Sequence, residues 1–464
     1  MKKLDKNKYL RRLRLRKLYH QYEKHIYISI PCIVCIILGL YFTYSKFTTT
    51  SEDEVIRTNV GDFISGDVVI GAYINGEYSK DIPGKNDGYI VTKIVCDNNA
   101  TGEWNYDDWS LVTKNLTTRS KCNIYFEKNR VNEIISKLDT TGKCPTINED
   151  KTVKITSAET ENSLVCSAQD DYGTSYYYRG NVTDNYVKFA GYYWRIVRIN
   201  GDGSIRLIYD GTSAHNNDDT SEDRHIGISA FNELSDDNAY IGYMYGTANA
   251  SSYLETHLNL YDSTIKKYID SWYESNLKDT IYEQYLTDSG FCGSREIGEN
   301  DKNTSNLGYG KNYTSYRGAY GPWSADENTN NAKISLKCQN KNDLYTINNY
   351  SGNRSLKYPI SLLTKDEAIL AGSYTDQNNT FFLYTGYIYW LNSPDSFLDY
   401  GSSKYVAVIR NLNSNGATAG SGKNDGGGYD SAANKHYVKP VINLKASILQ
   451  QGSGTSTDPY RLED

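Results

Sequence analysis

Apolar and polar positions divide the chain into one long unbroken apolar run and many short alternating ones. The long run is Ile26–Ser45, IYISIPCIVCIILGLYFTYS, twenty residues without a charge. At about 1.5 Å of rise per residue it makes about 30 Å of helix, the thickness of a bilayer's hydrocarbon core. The short runs alternate with period two and are bounded by turn residues, which predicts strands. Val68–Tyr73 leads into Asn75-Gly76, a hairpin turn signal, and Tyr89–Val95 and Asn123–Phe126 follow. Between Val187 and Tyr209 the text VKFAGYYWRIVRI, the turn Asn200-Gly201-Asp202-Gly203 and SIRLIY predict a second hairpin. Further strands are expected in FFLYTGYIYWLNSP (381–394), Val406–Leu412 and the closing run Tyr437–Leu444.

Helical spacing is rarer. Val131–Leu138 predicts a short helix. In Ser263–Leu277, Ser263 suits an N-cap, and Ile265, Tyr268, Ile269, Trp272 and Leu277 fall on one broad face. Thr364 and Glu367 have capping-box spacing ahead of Ile369 and Leu370. Few helices among many strands give an α+β class. The expected order is a basic cytoplasmic segment (1–25), a transmembrane helix (26–45), a stalk (46–54) and a small all-β module (55–127). A connector (128–165), a larger α+β domain (166–448) and a tail (449–464) complete it.

Charge orients this layout. The first 25 residues hold ten Lys and Arg against Asp5 and Glu23, so the positive-inside rule puts the N-terminus in the cytoplasm and the rest outside. A cleaved signal peptide would need a shorter basic region and an A-x-A-like site, and neither is present. Of the chain's 50 basic and 56 acidic residues, 40 and 54 lie beyond residue 45, a net charge of −14. That argues against nucleic acid as a partner, because phosphate binding needs a basic face. The 44 tyrosines, with abundant Asn, Ser and Gly, suit strands and adaptable recognition surfaces. Trp104 and Trp109 are expected to pack in the small module's core.

Cys32 and Cys35 lie within the apolar run and act there as small apolar side chains. Cys96, Cys122, Cys144, Cys166, Cys292 and Cys338 remain outside it, and an even count in an exported segment fits disulfides. Six cysteines allow 15 pairings. Each neighbouring pair brackets one structural unit, so 96–122, 144–166 and 292–338 are expected. Catalytic and metal signatures are missing from the sequence. His215, His225, His257 and His436 form no H-E-x-x-H or H-x-H, no G-x-S-x-G occurs, and the acidic loop Asp210–Asp223 lacks calcium-loop spacing. No metal or cofactor is expected.

An ordered series of segments carries a resemblance. These are SYYYRGNVTDNYVKFAGYYWRIVRINGDGSIRLIYDGT (175–212), YIGYMYG (240–246), STIKKYIDSWY (263–273), FCGSR (291–295), YPISLLTKDEAILAG (358–372), YWLNSP (389–394) and YVKPVINL (437–444). Together, over roughly Cys166 to Leu444, they resemble an uncharacterised family of membrane-anchored Gram-positive bacterial surface proteins. The resemblance implies a C-type-lectin-like domain, a fold shared with formylglycine-generating enzymes. Two departures stand out: Lys439 takes the place of the family's Arg before the closing proline, and the catalytic cysteine pair of those enzymes has no counterpart.

These readings converge on a membrane-anchored extracellular recognition or adhesion protein, tethered by residues 26–45, with an external glycan or protein as ligand. The expected ligand face comprises Asn392, Asp395, Tyr400, Asn411, Asn413, Asn424, Asp425, Tyr429 and Asp430. The alternatives are a wall- or surface-acting enzyme with dispersed carboxylates, and an envelope scaffold.

Overall fold

A computed structural model of the chain describes residues 11–17, 54–56, 68–74, 76–85, 89–106, 108–115, 120–128, 130–147, 152–154, 163–297, 307–311, 316–317, 331–373, 379–399, 405–418 and 428–462. The apolar run 26–45 lies outside them, as do residues 46–53 of the stalk. Among the described residues no helix is long and apolar enough to cross a membrane. The fold is mixed α+β, mostly sheet with few helices. It divides into two compact units, Met1–Glu127 and Lys128–Asp464.

The first unit carries two sheets. In one, the strands run Glu77–Ser79, Val68–Ile74, Ser120–Lys128 and Tyr89–Cys96, the middle two parallel. In the other, Ser110–Lys114 lies between Glu54–Ile56 and Thr101–Asn105. Period-two alternation explains the core: Ile70, Ala72 and Ile74 face the same cluster as Cys122, Ile124 and Phe126. Trp104 joins that cluster with Trp109 packed edge-on at 5.3 Å, and Trp109 Nε1 donates to Pro83 O at 2.6 Å. Trp104 is a core residue and the half-buried Trp109 packs against the core, in line with the expected packing role.

The larger unit is built on two larger sheets. The first has the order Ile360–Ser361, Val441–Leu444, Ile205–Gly211, Tyr192–Ile199, Thr174–Gly180, Ser163–Gln169, and Tyr186–Phe189 also pairs with Tyr192–Ile199. The second has the order Ile228–Ala230, Lys435–Tyr437, Tyr389–Asp399, Tyr405–Leu412, Tyr429–Ser431, with Tyr316–Arg317 on Tyr389–Asp399. Helix Thr264–Asn276, capped by Ser263 through Lys266 N–H, buries Ile265, Ile269 and Tyr273. One continuous apolar core links both sheets and this helix.

The segments expected to be connector and tail are part of this unit. Val131 and Ile134 of the helix Arg130–Ile135 are core residues, and Ser163–Gln169 is a sheet strand. Leu449 and Tyr460 are buried as well, and Tyr460 exchanges backbone hydrogen bonds with Tyr186 and Lys188. The closing run is not one strand. Lys435–Tyr437 joins the second sheet and Val441–Leu444 the first. Pro440, which has no N–H for a ladder, lies between them. The disulfides are Cys96–Cys122, Cys144–Cys166 and Cys292–Cys338, the expected nearest-neighbour pattern.

Lys439, at the crossing between the sheets, is buried beside Asp210, the first acid of the loop Asp210–Asp223. Asp210 is fully buried and takes Lys439 Nζ at 3.2 Å, Arg224 Nη2 at 2.8 Å and Arg195 Nη1 at 3.7 Å. Burial, opposed by Asp210, pulls the Lys439 ammonium down to about 7 from its usual 10.5. His225 in the same cluster is driven by burial to about 2.

The folded Lys439 therefore releases its proton before the unfolded one does. The cost of burying its charge is fully present below pH 7 and is relieved as pH rises toward the unfolded value. Stability should rise between pH 7 and 9. Lys439→Met should flatten that rise and add about 1–4 kcal/mol at pH 6, since Asp210 keeps both arginines. Urea denaturation across this range, with the disulfides intact, measures both effects. An unchanged slope in the variant would show that Lys439 is not the titrating group.

Candidate functional site

The candidate site is assembled around Glu367. Thr364 caps helix Lys365–Ala371, and Glu367 completes the capping box expected from their spacing. Glu367 Oε2 accepts the Thr364 N–H and hydroxyl, each at 3.0 Å. Its other oxygen, Oε1, accepts Arg198 Nε at 2.9 Å and Arg206 Nη1 at 2.6 Å. Arg198 and Arg206 are cross-strand partners on adjacent antiparallel strands, so their side chains leave the sheet on one face. Arg198 Nη1 also reaches Asp170 Oδ2 at 2.6 Å, and Arg206 donates to Asn443 Oδ1 at 3.0 Å and Gly290 O at 2.5 Å. Burial alone would raise the Glu367 carboxyl, but the Arg206 and Arg198 guanidiniums bring it down to about 2.

This ionic core forms the floor of a cavity of about 50 Å³. The floor acids Asp170 and Glu367 each have a neighbour in sequence that also lines the cavity, Asp171 and Asp366. Both neighbours have raised pKa values, chiefly from burial. Asp366 Oδ2 accepts Ser335 N–H at 3.0 Å, and Asp171 accepts Cys338 N–H at 3.0 and 3.1 Å. One short segment, tied to Cys292 by the disulfide, thus holds both carboxylates. The Tyr172 hydroxyl accepts Gly290 N–H at 2.7 Å and donates to Ser351 O at 2.9 Å, and burial lifts its pKa to about 12. Lys365, Ser393 and Arg410 line the same space. Burial lowers the pKa of Lys365, with Asp366 Oδ1 3.4 Å from its Nζ.

The residues expected to form a ligand face have different surroundings. Asn392, Asp395, Asn411 and Asn413 are buried in or beside the second sheet. Asn392 Nδ2 donates to Cys292 O and Ser361 Oγ, and Asn413 Oδ1 accepts the N–H groups of Asn415 and Ala417. Asp395 pairs with Arg410, whose guanidinium lies 5.2 Å from the Tyr429 ring centroid. Asp430 accepts from Asn434 and His436, each at 2.8 Å. Of these, Asn392 meets the cavity's lining through Cys292 O, and Asp395 and Tyr429 meet it through Arg410, while Asn413 and Asp430 bond groups of nearby turns. Tyr400, Asn424 and Asp425 lie outside the described residues.

The sequence singled out Thr364 and Glu367 as a capping box and Cys292 as a disulfide partner, but none of the cavity's residues as a site. The signal was faint: two acidic doublets, Asp170-Asp171 and Asp366-Glu367, and arginines inside the apolar strand WRIVRI. Among the described residues no group of three or more His, Cys, Asp or Glu could hold a metal ion.

Removing Glu367 should be costly. Glu367→Ala leaves two buried guanidiniums short of a partner and should destabilise by about 3–5 kcal/mol. Glu367→Gln, which can still cap Thr364, should cost less. Because the folded pKa lies below the unfolded 4.5, the stabilisation is full above that value and is lost as pH falls toward 2. Thermal unfolding of wild type and variants at pH 7, 4 and 3 tests this. If the gap between them fails to narrow with acid, another group carries the effect. Compared with known proteins, the chain matches no protein family, no curated protein and no solved structure.

Proposed function

We propose that the chain is a membrane-anchored extracellular recognition or adhesion protein whose larger unit binds a polar ligand at the Asp171–Asp366 cleft. The observation that carries this reading is the cleft itself. It has a rigid floor of mutually satisfied ions and, above it, carboxylates, hydroxyls and cations not all committed to that floor. Pre-organised polar groups in a concavity are the ordinary substance of specific binding. The three disulfides support an oxidising compartment. The charge-free run 26–45 behind ten basic residues supports the anchor and its orientation. The resemblance over 166–444 and the α+β character support a lectin-like reading of the larger unit.

One observation favours the enzyme reading as second choice. Asp171 and Asp366 both have raised pKa values and line one cavity, a pattern suited to proton donation.

Glycan and peptide arrays probed with the full chain in detergent separate the two. Asp171→Asn and Asp366→Asn should each weaken array binding about tenfold, which is about 1.4 kcal/mol. Binding untouched by both substitutions would remove the cleft from consideration. Products that accumulate with wild type and vanish with either variant would instead establish catalysis. For the anchor, membrane association should resist alkaline carbonate and disappear when residues 26–45 are deleted. Release of the intact chain by carbonate would refute it.

A further inference from the structure

Most groups that line the cleft are bonded to one another, but a few keep capacity to spare. Arg198 gives Nε to Glu367 and Nη1 to Asp170 and Ser175 Oγ, and its Nη2 donates to nothing among the described residues. That nitrogen is not one of the sealed, unbonded atoms of the interior: the Arg198 side chain is 5% exposed, and the residue lines the cavity. Asp171, which follows the Asp170 that Arg198 grips, accepts only the Cys338 N–H and remains accessible. It is close enough to Arg198 to be influenced by its charge. Gly290, Cys292 and Ser294, alternate residues of one segment, all line the cavity. The Ser294 hydroxyl bonds to nothing among the described residues, while Gly293 N–H meets Asp343 O and Arg295 N–H meets Asp343 Oδ2 on either side of it.

Charge and size narrow what can use them. Four lining acids and Asp395 behind Arg410 together equal the five lining bases, so the cavity has no net charge to offer an ion. A neutral guest must then accept from a guanidinium, which only donates, and donate to a carboxylate, which only accepts. A hydroxyl does both. Space of about 50 Å³ admits a group of a few heavy atoms. A trans amide turns its C=O and N–H to opposite sides and carries an α-carbon at each end, so it presents only one of them within that space. Two hydroxyls on adjacent carbons project together from one edge of a ring. Tyr172, the one aromatic residue in the lining, offers such a ring a face, and its hydroxyl is fixed between Gly290 N–H and Ser351 O.

Building on the cleft reading above, we infer that the group entering this cavity is the vicinal diol of an uncharged pyranose. The lining groups with spare capacity bond it: Arg198 Nη2 gives a hydrogen bond, Asp171 accepts one, and the Ser294 hydroxyl does either.

Saturation-transfer NMR titration of the full chain, in a zwitterionic detergent free of sugar, tests the assignment. The probes are the methyl glycosides of glucose, galactose and mannose, N-acetylglycine methylamide and N-acetylglycine. At least one glycoside should bind at least tenfold tighter than the amide and the acid, and its derivative lacking one hydroxyl of the diol should lose about tenfold. Asp171→Asn should weaken the preferred glycoside about tenfold and Ser294→Ala about threefold. Arg198→Lys, which loses Nη2, should abolish binding. Because Arg198 also holds Asp170 and Glu367, Ser294→Ala, which removes a hydroxyl bonded to nothing, decides the matter if that variant fails to fold. An amide or acid that binds as tightly as every glycoside, or glycoside binding indifferent to Ser294→Ala, overturns the proposal. Array binding that depends on Asp171, with no glycoside bound, overturns the diol assignment and leaves the cleft standing. Array binding independent of Asp171 and Asp366 removes the cleft reading itself.

Discussion

The larger unit depends on a single carboxylate doing two tasks. Glu367 closes the first turn of its helix and, through its other oxygen, meets two arginines from neighbouring strands of the first sheet. Helix placement and sheet electrostatics are therefore one constraint. The helix cannot shift along the sheet without uncapping itself or leaving Arg198 and Arg206 without their acid. A seven-residue helix has little stability of its own, so this fixation comes from tertiary contact.

The same device recurs. Arg179, Arg195, Arg206, Arg224, Arg295 and Arg410 are all essentially fully buried. Arg179 donates to the Ile369 and Leu370 carbonyls near the end of the Glu367 helix. Arg295 joins Asp343, Met244 O and Asn259. Replacing such ion pairs by apolar residues often costs nothing, so their contribution to net stability is modest. What they add is exclusivity. Each guanidinium fork accepts few arrangements of neighbours, which selects one packing of a sheet-rich, tyrosine-rich chain over close competitors.

What could be read from the sequence was local. The Thr364–Glu367 capping box, the Ser263 cap, the strands around Asn200–Gly203 and the nearest-neighbour disulfides all depend on residues close in the chain. The cavity was not legible, because its defining contacts join Glu367 to Arg198 across 169 positions and to Arg206 across 161. Polarity alone also leaves surroundings open: Asn392, Asp395, Asn411 and Asn413 have the composition of a ligand-facing loop, yet all four are buried, with Asn392 on a carbonyl, Asn413 on turn amides and Asp395 on a guanidinium. Composition cannot distinguish an amide that meets solvent from one that meets a carbonyl. The closing run failed as a single strand for a local reason, the missing N–H of Pro440, whose consequence is a change of sheet.

That change of sheet bears on how the chain matures. Val441–Leu444 fills the place beside Ile205–Gly211 in the first sheet, and Tyr460 pairs with Tyr186. Both joins span well over two hundred residues, so a chain emerging N-terminus first holds an open sheet edge until Val441–Leu444 arrives. The disulfides behave differently, spanning only 26, 22 and 46 residues, so each can close while the rest is still being delivered. Covalent closure can thus come before completion of the sheet, and the open edge of Ile205–Gly211 is then the surface most in need of protection.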